Sequence, residues 1–364
     1  MRNLDILNFT EASIKDESIE SYEHKQYNPV TGASLNNPGG EIRISIETQD
    51  IFTHPGESYL LVEGKLTKAD GTEYADDAVV SLTNNATVYL LSNIKYQISS
   101  QEIESINSPG QGTTMLGLLK YPDDFSKSQG LNQLWFKDTA AALDDTLENT
   151  LKHNTGFCIR QLYIIQSPDP KGTFSFRIPL KHILGFCEDY NKILYGMRQT
   201  LTLTRKGNND TIFRVVPDPD PGAQTGKDND QTKNSAIFDN VNLSNMHVTL
   251  NETRYPAIDY NISFIKQQFS RVYGDAAAFI SKFFHMDESV SNPNITPSVY
   301  KDLYPLFVFD VSKQSLRLKT SVTDIKVKAQ FNAHVPADTQ AFALVISDKM
   351  LSFQSDGEKM NVIY

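Results

Sequence analysis

Residues 321–332, SVTDIKVKAQFN, sort by parity. Thr323, Ile325, Val327, Ala329 and Phe331 occupy one set of alternate positions, and Val322, Asp324, Lys326, Lys328 and Gln330 occupy the other. Successive side chains of a strand point to opposite faces, so the pattern predicts a strand with one dry face and one charged face. The same alternation runs through EIRISIE (41–47), where Ile42, Ile44 and Ile46 are separated by polar residues, and through TFSFRIPL (173–180), QTLTLTR (199–205) and NMHVTL (245–250). SYLLVEGKL (58–66), TVYLLSNIKYQIS (87–99), FCIRQLYIIQ (157–166), DLYPLFVFDVS (302–312) and QAFALVISDKMLSF (340–353) extend the series as more continuously apolar runs. Turn-rich stretches such as KADGTEYADD (68–77) separate them.

Helical patterns are fewer. TTMLGLLKY (113–121), TAAALDDTLENTLKH (139–153) and SRVYGDAAAFISKFFHM (270–286) have helix-forming composition, and LKHILGFCEDYNKILYG (180–196) places Leu180, Ile183, Leu184 and Cys187 on one helical face. Strands and helices do not alternate in the regular way a parallel sheet requires. Antiparallel strands with one wet face bury their dry faces by packing two sheets together, and a jelly roll is such a sandwich of about eight strands. The expected fold is therefore all-β: two antiparallel eight-stranded jelly-roll sandwiches side by side, with a few short helices inserted in loops. A polar N-terminal arm spans 1–40, a first sandwich 41–206 and a second 238–364. Between the sandwiches, 207–237 contains PDPDPG and GKDNDQTKNS and reads as a linker or long loop.

Charge and chemistry narrow the function. The chain has 364 residues with 34 basic and 44 acidic side chains, a net charge of −10, and no run of Lys or Arg, so it lacks the footprint of a nucleic-acid binder. The two cysteines, Cys158 and Cys187, are expected as buried thiols in a reducing setting. The first residues, MRNLDILNFTEASIKDE, show no apolar signal-peptide run, and no stretch reaches the ~20 apolar residues of a membrane span. Seven Asn-x-Ser/Thr sequons, at Asn8, Asn85, Asn209, Asn242, Asn251, Asn261 and Asn294, keep a secreted alternative open.

No catalytic constellation stands out. GAQTGK (222–227) is one spacer short of a phosphate loop and is followed by Asp228 where Ser or Thr should hold magnesium. The seven histidines form neither HExxH nor a spaced zinc pattern, and there is no GxSxG elbow. The expectation is a protein that makes surfaces, with no catalytic residue, cofactor or metal.

Three segments resemble a known family. YPLFVFDVSKQSLRLKTSVTDIKVKAQF (304–331), QAFALVISDKMLSFQSDGEKMNVIY (340–364) and RIPLKHILGFCEDYNKILYGMRQTLTLTR (177–205) are similar to the double jelly-roll major capsid proteins of invertebrate DNA viruses and of Polinton-like mobile elements, or an endogenous relative. The resemblance implies a subunit that forms a homotrimer, a pseudo-hexameric capsomer, which tiles an icosahedral virion shell. Its partners would be copies of itself and penton or minor capsid proteins, with assembly in the host nucleus or cytoplasm. Tyr22 and Tyr27 on the arm are candidate contacts to a neighbour. So are Met360, Val362 and Tyr364, whose alternation fits a strand added to a partner's sheet or to the chain's own. Two other classes remain: a jelly-roll carbohydrate-binding module, for which the single Trp135 offers little aromatic platform, and a cupin-like metalloenzyme.

Overall fold

The computed structural model describes residues 22–32, 34–47, 52–140, 154–207, 211–214, 234–284, 295–312, 324–337, 339–347, 349–355 and 360–363. The helical pattern expected at 139–153, most of 207–237 and Tyr364 fall outside these residues.

The first half contains β1 (Glu41–Ile46), β2 (Phe52–Thr53), β3 (Tyr59–Lys65), β4 (Val80–Leu82), α1 (Ala86–Tyr89), β5 (Leu91–Ile98), β6 (Gln101–Asn107) and α2 (Pro109–Lys120). It continues through α3 (Thr155–Gln161), β7 (Thr173–Pro179), α4 (Gly185–Asp189), β8 (Leu194–Tyr195), β9 (Gln199–Arg205) and β10 (Ile212–Arg214). Pairing is nested and antiparallel. β1 lies against β9, β2 against β8 and β3 against β7. Residues 41–65 and 173–205 are thus the two arms of one long ribbon. That ribbon does not stay in one plane: β1 and β9 belong to the sheet ordered β1-β9-β5-β6, whereas β3 and β7 form a separate sheet. A ribbon wrapped across two facing sheets is the jelly-roll way of burying alternating strands. Ile42, Ile94, Tyr96, Ile98, Leu201 and Leu203 from one sheet meet Phe176 and Ile178 from the other in the first core.

Two expectations change here. FCIRQLYIIQ is helical rather than extended: α3 runs on into a π-helical turn at Leu162–Gln166. Asn154 starts it, its side-chain oxygen accepting the Phe157 N–H at 3.1 Å, a cap that outweighs the β-rich composition that follows. The helix expected over 180–196 is split into a 3-10 turn at Leu180–His182 and the short α4, because Leu184 is extended (ψ 121°). Its apolar set still points one way, with Leu180, Ile183, Leu184 and Cys187 all in the first core.

The second half contains β11 (Leu243–Leu250), β12 (Thr253–Tyr255), α5 (Ser270–Ala277), α6 (Phe279–Phe284), α7 (Pro297–Asp302), β13 (Ile325–Phe331), β14 (Ser352–Ser355) and β15 (Met360–Ile363). Its main sheet is β12-β11-β13, and β14 pairs with β15. Among the described residues this half has five strands. DLYPLFVFDVS forms no ladder, and of QAFALVISDKMLSF only Ser352 and Phe353 do.

The two halves interlock. Leu118 and Leu119 of α2, with Tyr121, Phe125 and Trp135 just after it, are buried in a second core with Tyr260, Phe264, Phe269, Val272, Tyr300 and Tyr304. In return Val362, with Leu351 and Phe353 partly buried, packs into the first core. Gly117 sits where α2 passes the Trp135 indole so closely that an added Cβ would collide with Cζ2 and with Tyr121. Gly117→Ala should therefore lower stability by about 1–3 kcal/mol, the usual cost of overpacking, despite alanine's better helix propensity. Thermal unfolding of the variant checks this, and an unchanged midpoint would show that the indole has room to move.

Candidate assembly surface

The described part of the arm is laid along the first sheet. Pro29 bridges to Ile44, and the Val30 N–H donates to the Arg43 carbonyl at 2.7 Å. Thr31 Oγ1 donates to the Glu41 carbonyl at 3.0 Å and accepts the Arg43 N–H at 2.9 Å, while Arg205 Nε donates to the Leu35 carbonyl at 2.9 Å. These contacts cover the outer edge of β1, an edge that would otherwise invite other strands. Tyr22 is 60% exposed and stands edge-on to His24, which in turn meets Tyr59. Tyr27 is half-buried beneath the Lys25 ammonium. Tyr22 and Tyr27 thus have separate neighbours, His24 for the first and Lys25 for the second. Met360 and Val362 lie in β15, which pairs with the chain's own β14, with Val362 opposite Phe353. The Val362 side chain is 9% exposed and packs in the chain's own first core.

An exposed apolar face of the second half was not among the predicted contacts. The β11–β13 ladder sets Leu250 opposite Ile325, Val248 opposite Val327 and Leu243 opposite Phe331. Paired residues of an antiparallel ladder share a face. On this face Leu243, Val248 and Leu250 are buried, yet Ile325, Val327 and Phe331 are 46%, 52% and 37% exposed. The dry face expected for SVTDIKVKAQFN is therefore uncovered in the single chain. The second core stops at β11, and β13 carries the apolar face past its margin. Phe342, Leu344, Val345 and Ile346 are exposed as well, on a stretch with no ladder partner among the described residues. Just beyond, Lys349 Nζ donates to the carbonyls of Glu102 and Ile103 on β6, the outer strand of the first sheet.

Behind these surfaces a buried polar latch joins the halves. The Arg160 guanidinium donates from Nε to the Leu82 carbonyl at 2.9 Å, from Nη1 to the Phe136 carbonyl and from Nη2 to Asp138 Oδ1 at 2.7 Å. Asn154 Nδ2 donates to the same Asp138 oxygen at 2.7 Å. From the second half, Tyr304 Oη accepts the Asp138 N–H at 2.9 Å and donates to the Asp138 carbonyl at 3.2 Å. Burial holds the Tyr304 phenol well above its ordinary pKa, so it stays a neutral donor and acceptor.

Cys187 and His182 sit in surroundings that hold both groups neutral. Burial, with Glu104 nearby, pushes the Cys187 thiol up to about 12, so it carries little thiolate. His182 is held down to about 4 by burial and by Lys120 and Lys181, and its Nδ1 lies 3.0 Å from Gln133 Oε1. Among the described residues no three His, Cys, Asp or Glu side chains cluster as metal ligands, and no helix is long and apolar enough to cross a membrane.

The His182 shift has a consequence for acid stability. With its folded pKa near 4 and its ordinary value 6.5, the unfolded chain binds the proton first. The stability that neutral His182 contributes is present above 6.5 and is lost as pH falls toward 4. His182→Gln should flatten that part of the stability–pH curve, as measured by denaturant midpoints across the window. Parallel curves for the two proteins would rule the histidine out as the source.

Nested antiparallel ribbons in two facing sheets and a second strand-and-helix half with its own core fit a double jelly-roll protein. The chain belongs to the double jelly roll-like domain family, which matches residues 80–223 and again 221–351. Two solved structures share 15–16% identity with it. One is VP54 of PBCV-1 fitted into a cryo-EM reconstruction of the virophage Sputnik (16% identity, TM-score 0.29, 51% of this chain and 37% of that one). The other is a quasi-atomic model of the PBCV-1 virus capsid (15% identity, TM-score 0.28, 52% of this chain and 38% of that one). The chain thus aligns with under two-fifths of either neighbour's length. No curated protein matches it.

Proposed function

We propose that the chain is a major capsid subunit of a DNA virus or virus-derived element, which trimerises into pseudo-hexameric capsomers that tile an icosahedral shell. The observation that carries this reading is the apolar face of the β11–β13 ladder, which continues past its own core over Ile325, Val327 and Phe331. A single soluble chain gains nothing by presenting that face to water, whereas burying it against another copy removes the penalty. Membership of the double jelly roll-like family supports the same reading. So does the arm, on which Tyr22 is exposed and Tyr27 half-buried. The role is structural and not enzymatic. The net charge of −10 leaves genome contact to other components, and penton or minor capsid proteins would close the shell alongside it.

A closed trimer of this kind commonly buries ~2,000 Å² or more per obligate interface. Native mass spectrometry of the purified chain, followed by negative-stain imaging across ionic conditions, tests the proposal. The expected result is three times the chain mass, with shells or sheets of capsomers under some conditions. A chain that stays monomeric at every concentration and forms no particles overturns it.

A further inference from the structure

The second half carries an open cleft of about 410 Å³, within the size range of small-ligand sites. Its lining is dominated by amides: Asn242, Asn245, Asn261, Gln268, Gln330 and Asn332. An amide side chain offers a donor pair and an acceptor on one plane. Several of these are uncommitted. Among the described residues, the side chains of Asn242, Asn261 and Gln268 make no hydrogen bond within the chain, and Asn261 and Gln268 are exposed.

The electrostatics of the cleft restrict what it would take. Asp259 is its only carboxylate, and it is already engaged by Arg254 Nη2 and by Asn245 Nδ2, the latter at 2.6 Å. One carboxylate so occupied is too few for a divalent cation, which needs six or more oxygen ligands. A phosphate or polyanion would meet a single cation, Lys266, beside that carboxylate. The lining has no aromatic ring, so a nucleobase could not stack there and a sugar would be held by hydrogen bonds and an aliphatic edge instead of an aromatic platform. What suits a rim of neutral donors and acceptors is a neutral ligand dense in hydroxyls, whose vicinal pairs match the two ends of an amide. Ile265, 79% exposed, supplies an apolar edge for the C–H face of a sugar ring. The backbone is also strained around the cleft: Val241, Asn242, Asn261 and Gln267 adopt φ of 40°, 54°, 51° and 60°. Such conformations cost energy, most for the β-branched Val241, and they concentrate where a fold holds ligand-binding groups.

We propose that this cleft is a saccharide-binding site. It lies within one chain and does not depend on assembly. It would give the subunit a means of recognising surface glycans in addition to building a shell.

Saturation-transfer NMR on the full chain tests it. The probes are oligosaccharides ending in galactose, glucose, mannose, fucose or xylose, with a sialylated trisaccharide and inorganic phosphate as anionic comparisons. At least one neutral saccharide is expected to show transfer. Asn261→Gly, which suits the positive φ at that position, and Gln268→Ala should each weaken it about fivefold, the equivalent of one hydrogen bond, with the unfolding midpoint unchanged because both side chains are exposed. The proposal is overturned if no neutral saccharide shows transfer, if phosphate binds in preference, or if the double variant binds as well as the parent. Intact-mass measurement adds a separate test. Asn242 and Asn261 both head Asn-x-Ser sequons, and a glycan found attached to either would mean the cleft is modified rather than ligand-binding.

Discussion

Asp138→Ala is expected to lower the free energy of unfolding by about 3–5 kcal/mol, the range found when one member of a buried ion pair is removed. Asp138 and Arg160 are both fully buried. The loss does not measure how favourable the pair is. It measures what remains afterwards: a guanidinium held by the Leu82 and Phe136 carbonyls with no counter-charge, and an Asn154 amide stripped of its 2.7 Å acceptor. Replacing both charges, as Asp138→Leu with Arg160→Met, should therefore cost much less than the single change. Tyr304→Phe should cost about 1–3 kcal/mol, because the buried Asp138 N–H then lacks its only Tyr304 partner. The single Trp135 sits in the second core and reports denaturant unfolding by its fluorescence. If Asp138→Ala shifts the transition by less than about 1 kcal/mol, water reaches the guanidinium and the latch is not sealed.

The latch also shows what the sequence leaves hidden. Alternation marked β1, β7 and β9 well, because each turns its apolar positions toward a core, which is the condition under which a period of two survives. Which strand pairs with which was not in the pattern, because alternation repeats alike in every strand. Hairpin turns were harder. Ser99 and Ser100 (φ 48° and 70°) and Asn251 and Glu252 (φ 42° and 74°) form two-residue turns with positive φ at both central positions. Such turns usually announce themselves with Asn-Gly or Gly. FCIRQLYIIQ misled because β-branched and aromatic residues favour strands only on average, and a good N-cap with tertiary burial overrides them. The buried Arg160 gave no local signal at all; its partners are 22 to 78 residues away.

The candidate surface was legible in form and inverted in meaning. Periodicity identified the dry face of 323–331 but not what covers it. A strand whose apolar side faces its own core and one whose apolar side awaits another chain have the same pattern. Tyr22 and Tyr27 were chosen for their aromatic character on a polar arm. The tail residues were chosen on the same alternation rule, and the structure turns Val362 inward, so that rule alone does not separate an own-chain strand from a partner contact.

A substitution that is silent for folding and severe for assembly separates those two meanings. In the single chain Val327 is half exposed, so Val327→Asp places a carboxylate where water already reaches, and stability should move by no more than about 0.5 kcal/mol. In a trimer that buries the β13 face, three copies each carry that charge into an apolar contact. Each forfeits up to about 1.5–3 kcal/mol of side-chain burial and adds several more for the desolvated charge. Since 1.4 kcal/mol is a factor of ten, the variant should be monomeric at concentrations where the parent is fully trimeric. Lys328→Asp, on the opposite face of the same strand, is the control and should leave the trimer intact. Sedimentation velocity of the three proteins reads the outcome. If Val327→Asp unfolds the chain, the face is part of an intramolecular core. If it trimerises like the parent, the copies meet elsewhere, and the margin of the β11–β13 ladder is not the seam between subunits.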